Sequence, residues 1–370
     1  MKVIKIQTIP IRIPLKLTFA QSNNQASVSS SVILTVLTDK GVVGYGECCP
    51  REYVTGETVK TVTLDVQGLN RDGGDLVFHS LENIKSWVLD EAPSKVGLAT
   101  LCAIEMALLD SWSKEEKQSL IEGLGGERKE VFTYTGVVPL GNVKALKPVL
   151  EKFSFKRVKL KINHDLQASL EKIQLVKELY GPDTKVQVDV NAGWTLQDAC
   201  VQLPELIQAG VSCIEQPFPT DKDEQMGWLT WKYGKEIDIM ADESACSYRQ
   251  IQQLVENGLC NKLNLKLSKN GGIFHCMNIS KLAKAHGVSL QLGAHFGETS
   301  LLTAAAMLFS SLERELTSME GGLGTHLLKH DVVEKPLMIN RLGQISMAKN
   351  NLPLGWGPVL ADRLHGIALS

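Results

Sequence analysis

The chain has no apolar run approaching the roughly 20 residues needed to span a bilayer. Its opening, MKVIKIQTIPIRIPL, alternates like a strand instead of presenting a signal-peptide core. A membrane location is therefore disfavoured and a cytoplasmic one expected. Charge of one sign is also missing: 39 Lys and Arg against 41 Asp and Glu give a formal net charge of −2 and a pI near 6.5. No broad basic field is available for nucleic acid or an anionic membrane. The eight cysteines (48, 49, 102, 200, 213, 246, 260 and 276) form no CxxC and mostly lie in apolar runs, as expected of buried free thiols rather than disulfides or zinc ligands. No histidine cluster accompanies the acids discussed below, which disfavours a zinc hydrolase. Low-complexity tracts and short-period repeats are absent too.

What is present is an ordinary globular composition, 44% hydrophobic and 22% charged, over 370 residues. That length exceeds one typical core, so two domains, or a barrel with an addition, are expected. Residues 2–14 and 31–38 alternate as strands, and Asp39-Lys40-Gly41 supplies a turn toward VVGYGE, which predicts an antiparallel meander. From about 56 to 115 the pattern is helical, most clearly in AIEMALLDSWSKEEK. From 131 onward strand, loop and helix repeat, the rhythm of a parallel α/β fold. Eight strands are read, at 131–137, 157–162, 185–191, 213–217, 238–243, 262–268, 288–294 and 315–320. The expected architecture is α/β, a modified (β/α)8 TIM barrel with an α+β capping domain. Residues 1–128 form the cap, 129–334 the barrel, and the Pro- and Gly-punctuated segment 335–370 returns to the cap.

Three carboxylates stand at nearly even spacing: Asp189 in KVQVDVN, Glu215 in CIEQP and Asp242 in DIMADES, 26 and 27 residues apart. Each closes a short apolar or β-branched run, so one strand plus one helix separates them. Consecutive parallel strands ending in acids bring the acids to one end of a barrel, where they form an oxygen-rich cage suited to Mg²⁺ or Mn²⁺. Strand 158–162 reads Val-Lys-Leu-Lys-Ile, so Lys159 and Lys161 share one face, directed inward. Strand 262–268 places Lys262, Asn264 and Lys266 on one face, with Lys266 nearest the functional end. An interior lysine is expensive unless paired, and burial beside another cation lowers its pKa toward that of a useful base. Structural pairing or catalysis must therefore justify these lysines. An acid at a strand end is ordinarily a helix cap or turn former, and Asp242-Glu243-Ser244 could cap the segment that follows. Three acids in register with inward lysines are harder to explain in that way.

Two lysines facing each other across a metal suit removal of a proton α to a carboxylate. The metal stabilises the developing enediolate, one lysine takes the proton, and the other returns one from the opposite side or steadies the intermediate. The chain resembles the enolase superfamily, in the mandelate racemase/muconate-lactonising-enzyme subgroup. The matching pieces are Lys159-Leu-Lys161, Asp189-Val-Asn191, Glu215-Gln-Pro, Asp242-Glu-Ser, Asn264-Leu-Lys266-Leu-Ser-Lys269-Asn-Gly-Gly, and Thr55-Gly-Glu-Thr58 in the cap. A lysine base beside Mg²⁺ is that superfamily's known arrangement. The resemblance implies metal ligation by Asp189, Glu215 and Asp242, and acid/base roles for Lys161 and Lys266. Lys159 would depress the pKa of Lys161, Asn191 and Glu298 would support the site, and Glu243 would pair with a lysine. Similar proteins often form homo-oligomers.

In that family the cap loops and the last barrel strands choose the substrate. The corresponding segments here are Thr18 to Gln25, Pro50 to Tyr53, Gly293 to Thr299 and Met319 to Gly324. Arg51 and Tyr53 could contact a substrate carboxylate or ring, or simply sit in a surface loop. His295 could shuttle a proton or be a hydrogen-bonded wall residue. Related dipeptide epimerases carry Asp-x-Asp after the eighth strand to hold an ammonium group, whereas this chain has Met319-Glu320-Gly-Gly. Glu320 is then either a partner for a cationic substrate or a solvated or lysine-paired acid. Lys262 and Lys269 read as structural or solvent-facing, His164 and Asp165 as loop and cap, and Trp194 and Trp356 as packing. The expected activity on a small carboxylate substrate is racemisation or epimerisation of an N-acyl amino acid or dipeptide. The rivals are a lyase or cycloisomerase, through o-succinylbenzoate-like dehydration or muconate-type lactonisation, and a catalytically silent metal-binding barrel.

Overall fold

A computed structural model describes residues 1–21, 24–72, 75–347 and 354–367, with side chains at all of these except 17–21, 24–26, 72 and 365. The first strands, β1 (Val3–Gln21), β2 (Asn24–Thr38) and β3 (Val43–Cys48), form an antiparallel meander in that order. β1 and β2 run longer than their alternation suggests. Pro10 and Pro14, which cannot donate to a ladder, lie on edge strand β1, and a register irregularity follows Pro14. Helices α1 (Glu52–Thr55), α2 (Val59–Asp72), α3 (Leu81–Ser86), α4 (Leu98–Glu116) and α5 (Leu120–Gly123) complete this unit. α4 is buried on all sides from Ala99 to Ser113, because the meander covers one face, α2 and α3 pack beside it, and Glu105 meets the barrel at Ile273. β3 approaches it closely only through glycine. A Cβ at Gly46 would sit 2.0 Å from the Ala103 carbonyl oxygen, and one at Gly44 2.2 Å from that of Ala107.

The barrel begins with a correction. The single strand expected at 131–137 is two, β4 (Val131–Thr133) and β5 (Gly136–Val138). β4 pairs antiparallel with β13 (Gln344–Ser346), and only β5 enters the barrel. Between them Tyr134 N donates to Gly343 O, whereas Thr135 N donates at 2.7 Å to Met319 O, so the chain changes partners within two residues. A run of apolar alternation does not reveal such an exchange.

The remaining units are α6 (Val143–Leu150), β6 (Arg157–Lys161), α7 (Leu166–Tyr180), β7 (Lys185–Asp189), α8 (Leu196–Gln208), β8 (Val211–Glu215) and α9 (Asp223–Tyr233). They continue with β9 (Asp238–Ala241), α10 (Tyr248–Glu256), β10 (Lys262–Leu265), α11 (Ile273–Ala285), β11 (Ser289–Leu292), α12 (Ser300–Leu312) and β12 (Leu316–Met319). β5 to β12 form one eight-stranded parallel sheet in chain order, and the Thr135–Met319 bond joins its two ends. This is a (β/α) TIM-type barrel beside a separate antiparallel unit. The strands stop short of the expected ends because the chain turns away there: Asn191 and Ala192 take φ of 49° and 59°, and Gln216 37°. The acids therefore stand at the rim. The last segment lies against the first unit through Trp356, whose ring N–H donates to Met106 O at 2.9 Å, and ends in α13 (Ala361–Ile367). All eight cysteines are unbonded, and seven are buried. Among the described residues no helix is long and apolar enough to cross a membrane.

Candidate active site

The parallel register sets the site. Lys161 on β6 lies opposite Asp189 on β7, which lies opposite Glu215 on β8, and Glu215 lies opposite Met240 on β9, two residues before Asp242. Asp242 is not spent on a helix N-terminus, because Ser247 and Gln250 form the capping box of α10. Alternation turns Lys159 and Lys161 to one side of β6, and both are buried.

Buried charges must be paired, and the rim lysines Lys159, Lys161, Lys266 and Lys269 each meet a carboxylate. Lys159 Nζ lies 2.6 Å from Glu320 Oε2, 3.1 Å from Glu215 Oε2 and 3.6 Å from Asp189 Oδ2. Lys161 Nζ is 3.1 Å from Asp189 Oδ2 and donates at 2.5 Å to Asn191 Oδ1. Across the site Lys266 and Lys269 grip the two oxygens of Asp242, at 2.5 and 2.8 Å. Glu215 lies beneath, accepting from Gln187 at 2.7 Å and Asn264 at 2.8 Å.

The proton affinities follow. Burial pushes the Asp189 carboxyl up, but Lys161 and Lys159 outweigh it and hold it below the usual range. Asp242 likewise lies well below despite burial, because of Lys266 and then Lys269. Glu215 is pushed well above by burial and then by the negative charge of Asp189. Burial opposes protonation of Lys159 and Lys266, yet Glu215 and Glu320 raise the first and Asp242 and Glu215 the second. Burial, then Asp242 and Asp189, push Glu243 up to about 7. His295 is held well below its ordinary value by burial and then by Lys266 and Arg51, so its ring is neutral near pH 7.

A cavity of about 120 Å³ opens over these groups. Lys159, Lys161, Asp189, Asp242 and Lys266 line it, as do Asn191, Glu243, His295, Glu298 and Glu320. Tyr53, Val54, Val137, Leu323 and Leu327 give it an apolar side. Among the described residues no three acids, histidines or cysteines stand close enough to grip an ion as drawn, since ammonium groups lie between the carboxylates. The donor set nevertheless fits a hard divalent cation. It is all oxygen, and its three acids occupy adjacent strand ends. The crowding that raises Glu215 is a repulsion such a cation relieves. Glu243 Oε2 also lies buried without a hydrogen-bond partner at the same cavity.

Several expectations change. Arg51 does not reach the cavity: it donates to Ser30 O at 2.9 Å, Pro50 O at 3.0 Å and Phe296 O at 2.7 Å, a strut between loops. Glu243 makes no ion pair with lysine among the described residues. Both nearby lysines turn to Asp242, leaving Glu243 a hydrogen bond from Asn191 at 3.3 Å. Of the two readings of Lys262 and Lys269 the structural one fits: both are buried, Lys262 paired with Asp238 and Lys269 with Asp242. Glu320 is the lysine-paired acid, and Gln291 donates to its other oxygen at 2.9 Å. Asp165 caps α7, and Trp194 and Trp356 are packed in the core. The segment from Thr18 to Gln25 has no described side chains, and 22–23 lie outside the described residues altogether. Gln187 was missed, although it shares a strand face with Asp189 and the alternation could have found it. Lys269 follows the end of β10, where no periodicity points.

Comparison with known proteins extends over both units. Residues 143–347 match the enolase C-terminal domain-like family, and residues 2–125 match the mandelate racemase/muconate lactonizing enzyme N-terminal domain. A hydrophobic dipeptide epimerase of Enterococcus faecalis is 28% identical over 326 residues, covering 86% of this chain and 89% of that protein. The crystal structure of an N-succinyl Arg/Lys racemase from Bacillus cereus superposes with a TM-score of 0.84 at 25% identity, covering 100% of this chain and 99% of that one. A dipeptide epimerase from Enterococcus faecalis V583, solved with Mg and L-Leu-L-Tyr, superposes with a TM-score of 0.84 over 97% of this chain and 100% of that one. At 23% identity this last likeness speaks for the fold alone.

Proposed function

The chain belongs to the mandelate racemase/muconate lactonizing enzyme family of the enolase superfamily, and on that footing we propose that it is a racemase or epimerase of N-acyl amino acids or dipeptides, dependent on Mg²⁺ or Mn²⁺. The observation that carries this reading is that Lys161, at the end of β6, and Lys266, in the loop just after β10, line one small cavity above three buried carboxylates. Asp189, Glu215 and Asp242 would hold the ion, which when bound supplies the positive charge that stabilises negative charge developing on the substrate carboxylate.

The protein's own groups do the rest. A substrate seated between the Lys161 and Lys266 side chains presents one face of its α-carbon to each. The lysine on the hydrogen-bearing side, as the free amine, takes the proton on its Nζ and becomes an ammonium, while the opposite lysine, as the ammonium, delivers a proton and becomes the free amine, inverting the centre. For the other stereoisomer the roles exchange. Asn191 orients Lys161 through the 2.5 Å hydrogen bond. His295, neutral, offers a hydrogen bond without a competing charge. The Val54, Val137, Leu323 and Leu327 side of the cavity suits an apolar substrate side chain, and the commitment of Glu320 to Lys159 favours an uncharged acyl group over a free ammonium there.

The test is proton NMR in D₂O with Mg²⁺, using N-succinyl and N-acetyl amino acids and L,L-dipeptides. Wild type is expected to lose the α-proton signal and interconvert stereoisomers. Lys161→Ala and Lys266→Ala should each slow interconversion by about 10²–10⁴-fold, the usual worth of a general acid or base, while retaining exchange in at most one stereoisomer. Vinylic signals in place of exchange would mean elimination, and no exchange across the pool would defeat the reading.

A further inference from the structure

The barrel helices satisfy their first-turn N–H groups in two ways. α7, α8 and α10 cap themselves: Asp165 accepts from Ala168 N at 3.0 Å, and Thr195 with Asp198 and Ser247 with Gln250 form reciprocal capping boxes. α11, which has no side-chain cap, and α12, whose own Thr299 accepts only from Leu301 N, face the N-terminal unit and take carboxylates from it. Glu105, fully buried midway along α4, accepts from Ile273 N at 2.5 Å and Phe274 N at 2.8 Å, across 168 and 169 residues of sequence. Glu47, fully buried near the end of β3, accepts from Thr299 Oγ1 at 2.6 Å, Thr299 N at 3.0 Å and Leu302 N at 3.2 Å. Asp331 adds a bond from Ser300 Oγ at 2.8 Å.

The fit at α11 is mutual. Its own cap position is Gly272, with φ of 99°, and a Cβ there would sit 2.0 Å from Glu105 Oε2. A helix without a side-chain cap is thus matched to a carboxylate from another unit.

These two helices end the loops that bear half of the site. Residues 266–272 carry Lys266 and Lys269, and residues 293–299 carry His295 and Glu298. The N-terminal unit ties both loops at further points: Cys49 N donates to Ser268 Oγ at 2.8 Å, Ser29 Oγ to Gly297 O at 2.9 Å, and Arg51 to Phe296 O at 2.7 Å. Neither Glu47 nor Glu105 has an ion-pair partner among the described residues, and burial pushes their carboxyls up to about 7 and about 8.

We propose that Glu47 and Glu105 are positioning residues: by capping α12 and α11 from the N-terminal unit they hold the His295 and Lys266 loops in register with the strands that carry Lys161 and the three acids. The consequence for turnover rests on the racemase reading; the consequence for the loops does not.

Hydrogen exchange by mass spectrometry on the full chain separates the two. Glu105→Gln keeps one acceptor and the shape, and Glu105→Met keeps the volume and removes both, so one variant serves if the other fails to fold. Either should accelerate exchange about tenfold in peptides spanning 266–276, the scale of a lost buried hydrogen bond, and leave α10 unchanged. Glu47→Gln should do the same for 293–303. On a turned-over substrate, Glu105→Gln should lower kcat with KM little changed, whereas Glu47→Gln should chiefly raise KM. Acceleration shared equally by all barrel helices, or local acceleration with unaltered kinetics in an active enzyme, would overturn the proposal. A chain that turns over no substrate but shows the local exchange pattern would defeat only the racemase reading.

Discussion

Two groups of buried acids lie within this protein, and they are satisfied differently. At the barrel rim Asp189, Glu215, Asp242 and Glu320 each face at least one lysine ammonium. At the junction with the N-terminal unit Glu47 and Glu105 face backbone N–H groups and a hydroxyl. A carboxylate held by mobile side-chain cations can exchange one cation for another, as chemistry at a metal site requires. One held by helix N–H groups can only stay or leave, and that constrains a loop. Burial is common to both groups, and partner chemistry separates use from placement.

The comparison breaks most sharply at Asp242. Replacement by Ala leaves Lys266 and Lys269 without their shared anion, and removing one member of a buried pair costs about 3–5 kcal/mol. Urea denaturation in EDTA should show that loss, and calorimetric titration with Mg²⁺ should show weakened binding. Gly272→Ala tests the other group: a side chain at φ of 99° against Glu105 should lower stability by about 1–3 kcal/mol, read as a drop in Tm, with exchange rising around α11.

Titration should give opposite slopes. Glu105 and Glu47 have folded-state pKa values raised to about 8 and about 7, above the unfolded value, so the native state binds the extra protons and their contribution to stability declines as pH rises from about 5 to about 8. Asp189 and Asp242 are depressed, so their contribution is present above the unfolded value and is lost as pH falls through the folded one. Urea midpoints in EDTA should therefore fall toward alkaline pH in wild type, and less steeply in Glu105→Gln. The smallest effect is expected at a self-capped helix, where Ser247→Ala should cost about 1 kcal/mol and leave kcat unchanged.

Strand alternation was enough to place Lys159, Lys161, Asn264 and Lys266 facing inward, and run lengths were enough to find three acids at successive strand ends. Both are local periodicities, imposed by pleat geometry on any parallel strand. Arg51 escaped the same reasoning because its partners, Ser30 and Phe296, belong to different units. The alternatives for Glu320 stayed open because its lysine lies on a strand far away in sequence. The run 131–137 hid two strands because pairing partners, not composition, decide where a strand ends.

By itself, then, the sequence determined the barrel rhythm, the inward face of the two lysine-bearing strands, the oxygen-rich donor set and the Asp165 cap of α7. Each of these depends on residues a few positions apart. Tertiary structure alone decided which lysine neutralises which acid, that Glu243 is left without one, and that α4 and β3 supply carboxylates to α11 and α12. The physical reason is range: backbone geometry repeats over two to four residues, whereas a buried charge takes whatever partner the fold brings within about 3 Å, and here that partner comes from as far as 255 residues along the chain.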